Sequence, residues 1–456
     1  MSVSFRVTRF SESDLTFGVV GLGYVGLPLA IEIGGSGNST LGFDVSEEVV
    51  GGVNRGQSHI GDVQNETVAG LREKGLLEAT TDMGRLAECD VICLCVPTPL
   101  SKTRDPDISF ILAAGTAVAT TLRVGQLIVL ESTTYPGTTR DVLLPLFRAR
   151  GMEVGEDFFL CFSPERVDPA NQVWKIRNTP KVIGGLTESC LEAGLAAYES
   201  FIEEMVAVSS PETAEMVKLL ENTFRAVNIA LVNEIAQIAD RLQVDIWEVV
   251  EAAATKPFGF MKFTPGPGFG GHCIPIDPHY LSWKMHTLDC QARFIELASE
   301  INAEMPRFVV GKVRKALNAK CKPVNGSRVL VLGVAYKKDV GDIRESPSLE
   351  IMKELEEDGA EVIFYDPHVA SFCEDGRTWS GVELTDEVLE SADVVLLVTD
   401  HAAFDLERVF DHARILVDSR NATCGIAAER GVRRSEAWIV KGLENPVLRE
   451  STVRIE

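Results

Sequence analysis

One cysteine lies in a loop that is rich in glycine and proline. Residues 264–280 read Thr-Pro-Gly-Pro-Gly-Phe-Gly-Gly-His-Cys-Ile-Pro-Ile-Asp-Pro-His-Tyr, so Asp277 follows Cys273 by four positions. Glycines let a backbone approach a ligand closely, and prolines keep a loop stiff. A thiol presented in this way favours a nucleophile over core filling. With His272 and His279 nearby, a metal site is an alternative, although the prolines leave little freedom for ligands to converge; a buried structural cysteine is another.

A lysine and an amide occur at helical spacing elsewhere in the chain. Residues 212–242 carry apolar side chains at helical spacing with no proline or glycine, which predicts one long helix that contains Lys218 and Asn222. Their spacing of four puts them on one face. A cation and an amide side by side can stabilise a developing oxyanion. The alternative is a solvated stripe whose lysine stem lies along apolar surface.

Polar residues also follow three predicted strands, at residues 90–96, 127–131 and 158–162. They are Thr98, Thr133 and, in the sequence Phe-Ser-Pro-Glu-Arg, Glu165 with Arg166. Doubly wound sheets bind ligands at the carboxyl ends of their strands, so the threonines could contact a cofactor or a catalytic water. A carboxylate in this position could be a general base. Ordinary strand-end turns and a surface Glu–Arg pair are the alternatives.

A glycine-rich turn near the start has the setting of a dinucleotide site. Gly21-Leu-Gly23-Tyr24-Val25-Gly26 follows a predicted strand at residues 17–20 and opens a predicted helix, and Asp44 ends the next strand. This context predicts a pyrophosphate at the helix N-terminus and a ribose bound by Asp44. The carboxylate would repel a 2′-phosphate, which favours NAD over NADP. A structural turn beside a solvated aspartate is the alternative.

Cations cluster after a later strand, predicted at residues 328–332. Lys337, Lys338 and Arg344 follow it, and Arg420 stands in a second strand-end motif, Asp-Ser-Arg. In an acidic protein, such cations fit a phosphate-bearing ligand. Surface pairing with the neighbouring acidic residues is the alternative.

These residues require a scaffold of strands and helices that alternate. That alternation occurs in the first and last parts of the chain, while the middle is helix-rich. We therefore predict an α/β protein with two Rossmann-like, doubly wound domains joined by an α-helical central region. The expected boundaries are 1–208 for the NAD-binding domain, 209–320 for the helical region with the cysteine loop, and 321–456 for the second Rossmann-like domain. The resemblance named below implies dimerisation by the second of these and UDP-sugar binding by the third.

Composition narrows the class of protein. The 456 residues carry a formal net charge of −23, which argues against binding to nucleic acid or to an anionic membrane surface. The sequence shows no apolar secretory segment, and no uninterrupted apolar run approaches the roughly 20 residues of a membrane span. The ten cysteines are scattered without a Cys-x-x-Cys pair. We expect a reduced, cytoplasmic protein.

Eight motifs in their order resemble the UDP-glucose/GDP-mannose dehydrogenase family, over residues 16–423. The motifs are Gly21-x-Gly-x-x-Gly26, Val96-Pro-Thr-Pro, Ser132-Thr133, Ser163-Pro-Glu165, Lys218-x-x-x-Asn222, Gly270-Gly-His-Cys273, Lys337 to Arg344, and Asp418-Ser-Arg420. The resemblance implies two NAD-dependent oxidations of a sugar C6 alcohol to a carboxylate without release of the aldehyde. It also implies a homodimer and a role in polysaccharide precursor synthesis.

The resemblance implies roles for individual residues. Cys273 corresponds to the nucleophile, Lys218 and Asn222 to the oxyanion-stabilising groups, Glu165 to the base for thioester hydrolysis, and Thr133 and Asp277 to the partners of the catalytic water. The implied NAD contacts are Gly21, Gly23, Tyr24, Val25, Gly26, Asp44, Thr98, Thr133 and Arg344. The implied UDP-sugar contacts are Glu165, Arg166, Lys218, Asn222, Gly270, Lys337 and Arg420. No metal is implied.

The cysteine loop indicates the sugar. Glucose-type members commonly read Gly-Gly-Ser-Cys with a lysine three residues after the cysteine, whereas this chain has His272 and Ile276. Residues 256–261 and the Pro-Gly-Pro-Gly segment resemble the branch that acts on UDP-N-acetylglucosamine, which we favour as substrate. UDP-N-acetylmannosamine and UDP-glucose remain alternatives. A non-catalytic nucleotide-sugar or NAD sensor and a metal-dependent alcohol dehydrogenase are alternatives of other classes.

Overall fold

A computed structural model describes residues 7–11, 15–61, 63–101, 105–167, 171, 173–271, 274–432 and 438–441. The chain divides into two compact units. The first comprises Met1–Asn222 and Ile276–Gln291, and the second comprises Thr223–Pro275 and Ala292–Glu456. The long predicted helix is present as Pro211–Leu242, with proline at its start, and the division between the units falls within it.

The first unit is built on one sheet. Within the described residues its eight strands follow the order β3-β2-β1-β4-β5-β6-β7-β8. Their bounds are β1 Thr16–Val20, β2 Ser39–Phe43, β3 Leu77–Thr80, β4 Val91–Leu94, β5 Leu127–Leu130, β6 Phe159–Phe162, β7 Lys181–Gly185 and β8 Met205–Val208. Strands β4, β5 and β6 are apolar and buried at every position, as strands covered on both faces must be.

Helices cover both faces of this sheet. The helices of this unit span Gly26–Gly35, Glu47–Asn54, Asn65–Glu73, Ser109–Thr121, Leu144–Arg148, Glu188–Tyr198 and Asp277–His286, with 3₁₀ turns at Arg9–Ser11 and Met83–Glu88 and a π-helical turn at Thr139–Leu143. The neighbouring strands pair in parallel, except that β7 runs antiparallel to β6. The described residues between β6 and β7 contain no helix that could carry a parallel crossover.

The second unit contains a smaller sheet, for which the described strands follow the order β10-β9-β13-β14-β15, with β15 antiparallel. The strands are β9 Arg328–Leu332, β10 Glu361–Tyr365, β13 Val394–Leu397, β14 Leu416–Asp418 and β15 Ile439–Lys441; β11 Ser371–Glu374 and β12 Arg377–Ser380 form a separate hairpin. The helices are Ile246–Ala254, Arg293–Ala319, Pro347–Glu357, Asp386–Ser391, Leu406–His412 and Cys424–Glu429.

Two doubly wound sheets, separated along the sequence by mainly helical segments, confirm the predicted fold class. In each sheet the strand order reverses at one point, between β1 and β4 in the first unit and between β9 and β13 in the second. Loops after such strands form the ligand crevice of open α/β sheets. No helix in the described part of the chain is long and apolar enough to cross a membrane.

Candidate active site

The glycine turn after β1 lies at the reversal point of the first sheet. Gly21 has a φ of +89°, a left-handed conformation that favours glycine, and its N–H donates to the Phe43 carbonyl at 2.7 Å. A Cβ on Gly26 would stand 1.7 Å from the Gly21 carbonyl oxygen, so only glycine fits there. A Cβ on Gly23, by contrast, would meet no described atom within 4 Å. The two ends of the turn have no room for a side chain, whereas Gly23 in the middle faces space that no described atom fills. A pyrophosphate could therefore approach the backbone closely at Gly23.

The helix that starts here is suited to an anion. Val25 is the residue before the helix Gly26–Gly35, and no side chain caps its N-terminus. The N–H groups of the first turn therefore point towards the space beside the glycine turn, where the helix dipole favours negative charge. Tyr24 is 58% exposed at the same place. The residues present fit a dinucleotide.

Asp44 lies directly beside this turn. Its Oδ2 accepts a hydrogen bond from Leu22 N–H at 2.9 Å, and its Oδ1 accepts one from Ser46 N–H at 2.9 Å. The carboxylate thus joins the end of β2 to the glycine turn, where a ribose bound to the pyrophosphate would come.

The loops after β4 and β5 are joined to each other. Ser132 Oγ donates to the Leu94 and Val96 carbonyls at 3.1 and 2.8 Å. Thr98 is buried beyond β4, and Thr133 is half-buried beside Ser132. Both threonines therefore lie at the carboxyl edge of the sheet, as predicted.

Four of the predicted catalytic residues form two bonded pairs in the first unit. Lys218 Nζ donates to the Glu165 carbonyl oxygen at 2.6 Å, and Asn222 Nδ2 donates to Asp277 Oδ2 at 2.5 Å. Lys218 and Asn222 are each 9% exposed, and Asp277 is 2% exposed. Buried polar groups of this kind must be bonded, which excludes the solvated-stripe alternative for the helix face.

The surroundings of Asp277 change the acidity of its carboxyl group. Burial raises the pKa of its carboxyl to about 6, although the Lys218 ammonium and the Asn222 hydrogen bond act to lower it. A carboxyl with this pKa changes its protonation close to neutral pH, which is the range that suits a general base.

Glu215 is a site residue that sequence reasoning missed. It lies one turn before Lys218 on the same helix and is fully buried. Its carboxylate accepts hydrogen bonds from Gly137 N–H at 2.6 Å, Thr139 N–H at 2.9 Å and Thr139 Oγ1 at 2.7 Å. Glu215 therefore fixes the loop that contains Thr133 to the helix that carries Lys218. The spacing of three and seven residues to Lys218 and Asn222 was the available signal.

Arg166 is engaged by protein groups. Its guanidinium pairs with Glu221 at 2.6 Å and donates to the Pro180 carbonyl. The predicted substrate contact of Arg166 would have to compete with these bonds.

The segment before Cys273 packs within the second unit. Gly271 has a φ of +85°, and its N–H donates to the Arg344 carbonyl at 2.9 Å. A Cβ on Gly270 would stand 2.6 Å from both the Glu345 carbonyl oxygen and Tyr336 Cβ. The glycines thus allow the cysteine loop to lie directly on the loop after β9 that contains Lys337. Cys273 and His272 themselves lie outside the described residues.

Arg420 lies against the same segment. Its Nε donates to the Val398 carbonyl at 2.7 Å, and a Cβ on Gly266 would stand 2.8 Å from its Nη1. Asp418 shapes the turn by accepting from Arg420 N–H at 2.9 Å and from Thr423. The structure therefore brings Gly270, the Lys337 loop and Arg420 together in one unit.

In the second unit, Arg344 and a cluster around His401 are hydrogen-bonded to neighbouring protein groups. The exposed Arg344 forms a bidentate pair with Asp342, with its shortest contact at 2.6 Å. Among the described residues, Asp339, His368 and His401 are close enough to hold a metal ion. However, His401 Nδ1 accepts from Asp339 N–H at 2.9 Å and its Nε2 contacts Asp366 at 3.0 Å, so both ring nitrogens already have partners. This cluster stabilises the loop after Lys337.

Comparison with known proteins decides the family. Sequence models of the UDP-glucose/GDP-mannose dehydrogenase family match the chain at residues 15–202 for the NAD-binding domain, 212–304 for the central domain and 330–424 for the UDP-binding domain. The chain belongs to this family. It is an NAD-dependent UDP-sugar dehydrogenase.

Individual relatives agree with this assignment. The chain is 37% identical to the UDP-N-acetyl-D-mannosamine dehydrogenase of Pyrococcus horikoshii, over 88% of this chain and 94% of that protein. It is 35% identical to the UDP-N-acetyl-D-glucosamine 6-dehydrogenase of Salmonella typhi, over 87% of this chain and 92% of that protein. A solved structure of the Pyrococcus horikoshii UDP-D-ManNAc dehydrogenase has a TM-score of 0.81 and 34% identity, covering 90% of this chain and 96% of that one.

The predicted cofactor is therefore confirmed as NAD, which accepts two electrons in each oxidation when bound. The glycine turn, the uncapped helix N-terminus and Asp44 are the residues of this dehydrogenase that would hold it. The specific contacts of Thr98, Thr133 and Arg344 with NAD stay predictions.

Replacing Asp44 with asparagine should weaken the preference for NAD over NADP. The amide removes the negative charge that repels a 2′-phosphate, and a change of about 1.4 kcal/mol would lower the ratio of kcat/KM values about tenfold. Steady-state kinetics with each cofactor measures this ratio. Asp82→Asn is the matched control, because Asp82 also accepts from a backbone N–H after a strand, that of Gly84 at 2.8 Å. An unchanged ratio in Asp44→Asn would remove Asp44 from ribose recognition.

The rate of NADH formation should fall in acid with a midpoint near pH 6. The ionised form of Asp277 is the one that can accept a proton, and it is lost as pH falls through its raised pKa of about 6. Well below the midpoint, the rate should drop about tenfold per pH unit. Stopped-flow measurement of the first turnover across pH 4.5–8 tests this. Asp277→Asn should be slow and lack this midpoint; a midpoint that persists in the variant would assign it to another group.

Proposed function

We propose that this dehydrogenase oxidises the C6 hydroxyl of a UDP-N-acetylhexosamine to the carboxylate, with UDP-N-acetylglucosamine as the favoured substrate. The names of the relatives support an N-acetylhexosamine, whichever epimer is preferred. They include UDP-N-acetyl-D-mannosamine and UDP-N-acetyl-D-glucosamine dehydrogenases. Residues 256–261 and the Pro-Gly-Pro-Gly segment support the glucosamine epimer, while His272 distinguishes the chain from glucose-type members and not from mannosamine ones.

The observation that carries the mechanism is the pair of buried bonds on one helix. Lys218 contacts the backbone of Glu165, and Asn222 contacts Asp277, so a cation, an amide and two carboxyl groups share a small buried region of the first unit. Oxidising an alcohol through an aldehyde to an acid needs groups that stabilise an oxyanion and groups that accept protons. These residues supply both.

The proposed covalent steps use Cys273. After the first oxidation, its thiolate adds to the aldehyde carbon, a C–S bond forms, and the carbonyl electron pair moves to oxygen to give a thiohemiacetal. Lys218 and Asn222 stabilise that oxygen while its charge develops. The second oxidation yields a thioester. Water then attacks the thioester carbon, Glu165 accepts a proton from the water, and the Cys273 thiolate leaves the acid product.

The tether explains why one site can perform two oxidations. A free aldehyde would hydrate or diffuse away, whereas a covalent adduct holds the sugar while the cofactor is exchanged. Thr133 and Asp277 are proposed to orient the catalytic water. The non-catalytic sensor is disfavoured, because recognition of a nucleotide sugar alone would not need these buried proton acceptors. A chelator-sensitive activity would be required to support the metal-dependent alternative.

The substrate assignment is tested by a panel of UDP-sugars. NADH formation is followed with UDP-N-acetylglucosamine, UDP-N-acetylmannosamine, UDP-N-acetylgalactosamine and UDP-glucose, and each product is identified by mass. The highest kcat/KM is expected for UDP-N-acetylglucosamine. A higher value for UDP-N-acetylmannosamine would correct the epimer, and a higher value for UDP-glucose would correct the N-acetyl preference.

The proposed UDP-sugar site has its own test in the second unit. A Cβ on Gly266 would displace the Arg420 guanidinium, which its bond to the Val398 carbonyl holds in place. Gly266→Ala should therefore raise the KM for the UDP-sugar about tenfold, since losing about 1.4 kcal/mol of binding costs that factor. Gly425→Ala is the control, because a Cβ there would meet no described atom within 4 Å. An unchanged KM in Gly266→Ala would argue against an Arg420 contact.

We also propose a homodimer. Within the second unit, the long helix exposes large apolar side chains at spacings of seven, four, three and four, where a solvated helix would carry polar ones. They are Phe224, Leu231, Ile235, Ile238 and Leu242, each between 38% and 67% exposed. Light scattering of the purified protein measures the mass. A monomer at micromolar concentration would contradict the proposal.

The proposed setting is the cytoplasm, in the supply of uronic acid precursors for polysaccharide synthesis. The nine cysteines in the described part of the chain are all free, which supports a reducing compartment. The UDP-sugar chemistry supports the precursor role.

A further inference from the structure

The two carboxylate oxygens of Glu165 have different surroundings. Oε1 accepts hydrogen bonds from the N–H groups of Arg166 at 2.8 Å and Val167 at 2.6 Å. Oε2 is buried and has no hydrogen-bond partner among the residues that the structure describes. Lys181 Nζ stands 3.9 Å from Oε2, which is too far for a hydrogen bond but close enough for strong attraction between charges.

Lys181 is held firmly in that position. Its Nζ donates to Glu131 Oε2 at 2.7 Å and to the Pro164 carbonyl at 3.2 Å. Tyr198 in turn donates its hydroxyl to Glu131 Oε1 at 2.5 Å. The side chains of Lys181 and Glu131 are 5% and 0% exposed. These two bonds hold the ammonium in place near Glu165 Oε2.

The charged and titratable groups around Glu165 come from five elements and the loop itself. They are Cys93 and Cys95 on and after β4, Glu131 after β5, Lys181 on β7, Tyr198 on the helix Glu188–Tyr198, Lys218 and Glu221 on the long helix, and Arg166 next in sequence. Lys218 contacts the Glu165 carbonyl, and Arg166 is paired with Glu221. Lys181 is the cation that faces the carboxylate itself.

The protonation of these groups keeps Lys181 as a cation. Burial would lower the pKa of Lys181, but the Glu131 and Glu165 carboxylates beside it raise the pKa above its usual value. Burial raises the pKa of the Cys93 thiol to about 12 and that of the Tyr198 hydroxyl well above its ordinary value, so both stay neutral.

Lys181 Nζ and Glu165 Oε2 are 3.9 Å apart, and this separation leaves Glu165 better able to accept a proton than a hydrogen-bonded Lys–Glu pair would. A short Lys–Glu bond would occupy the lone pairs of Oε2 and make the carboxylate a poor proton acceptor. Without Lys181, no cation among the described residues would face Oε2. The observed arrangement places a cation 3.9 Å from Oε2 and leaves that oxygen without a hydrogen bond from any described residue.

We propose that Lys181 is a positioning residue that attracts the Glu165 carboxylate and orients its Oε2 for hydrolysis of the acyl group from Cys273. This inference rests on the proposed function and deepens it. The step itself is a hydrolysis with no change in oxidation state: water forms a C–O bond to the thioester carbon, Glu165 Oε2 takes one water proton, and the C–S bond breaks with its electron pair on sulfur, which releases the Cys273 thiolate and the acid. Glu131 and Tyr198 act through Lys181.

The test replaces Lys181 and Glu131 together. Lys181→Met with Glu131→Gln removes both buried charges together, because leaving one of them alone would destabilise the fold. The enzyme is mixed with UDP-N-acetylglucosamine and NAD, and the acyl-enzyme on Cys273 is followed by rapid quench and intact mass across pH. The midpoint of its decay should move to higher pH by about one unit or more, because the carboxylate has lost its cation. The two NADH formed before hydrolysis should appear at unchanged rates.

Controls separate this role from a general effect on the fold. Lys312→Met with Asp240→Asn removes a mostly buried ion pair of the second unit and should leave the midpoint unchanged. Lys181→Arg retains the cation and should restore the midpoint towards that of the wild type. If the paired variant does not fold, Lys181→Gln with Glu131→Gln replaces it, since two amides remove both charges and can still hydrogen-bond to each other.

The possible results separate a failure of the Lys181 role from a failure of the proposed function. A folded variant with the wild-type decay midpoint would overturn the role of Lys181 while leaving the proposed function intact. A wild-type enzyme that forms no acyl adduct and no acid from any UDP-N-acetylhexosamine would overturn the proposed function itself.

Discussion

Replacing Cys273 with serine should reduce formation of the sugar acid by on the order of 10³-fold or more, as expected for loss of a covalent nucleophile. Serine is far less acidic than cysteine and does not form the thiolate that traps the aldehyde. The thioester, which makes the second oxidation and the hydrolysis separate steps, would then be lost. The variant should form at most one NADH per sugar, measured by absorbance with product mass.

Cys290 provides a matched control for this substitution. It is an exposed, free cysteine in the first unit, so Cys290→Ser changes a thiol that the proposed mechanism does not use. Its rate of acid formation should equal that of the wild type. Acid formation at a wild-type rate by Cys273→Ser would exclude Cys273 as the nucleophile and would revive the structural-cysteine interpretation.

Replacing Lys218 with methionine should lower kcat by on the order of 10²- to 10³-fold, the usual cost of removing one oxyanion-stabilising donor. Methionine retains most of the apolar stem, so the loss is mainly that of the ammonium. That group contacts the Glu165 carbonyl at 2.6 Å and also lowers the pKa of Asp277. The variant should therefore show a second effect, a shift of the acid midpoint of NADH formation to above pH 6. Its KM for the UDP-sugar should change less than its kcat.

Lys175 is the control lysine for this experiment. It is exposed, and its Nζ likewise donates to a main-chain carbonyl, that of Asn171 at 2.6 Å. Lys175→Met should have wild-type kcat and the wild-type midpoint. If Lys218→Met lowered kcat without moving the midpoint, the influence of Lys218 on Asp277 would be refuted while its oxyanion role would stand.

The central strands could be predicted from sequence, but the edges of the sheets could not. Buried strands such as β5 and β9 are uninterrupted apolar runs, and β9 was predicted with the bounds that the structure shows. The edge strands β3 and β8 went unpredicted. β3 mixes polar with apolar residues, and β8 is a short apolar run whose two middle residues are exposed. The antiparallel direction of β7 was also not predicted, because the direction of a strand depends on its connection to the preceding strand and not on its own composition.

Some residues of the candidate site could likewise be predicted from sequence, and others could not. Spacing along one helix was enough to pair Lys218 with Asn222, and motif order linked both to Glu165 and Asp277. Lys181 gave no signal, because a single lysine at the start of a strand reads as an exposed residue until its burial beside Glu131 is seen. The contact of Gly266 with Arg420 joins residues far apart in sequence, so only packing reveals why that glycine is needed.

The central claim is that one site performs two oxidations on a sugar that stays bound through Cys273. The most direct measurement is the ratio of NADH to product when a limiting amount of UDP-N-acetylglucosamine is consumed completely. The account predicts two NADH per molecule of uronic acid, with a transient protein adduct of the mass of an acyl-UDP-sugar. One NADH per molecule, with free aldehyde in solution and no adduct, would contradict it.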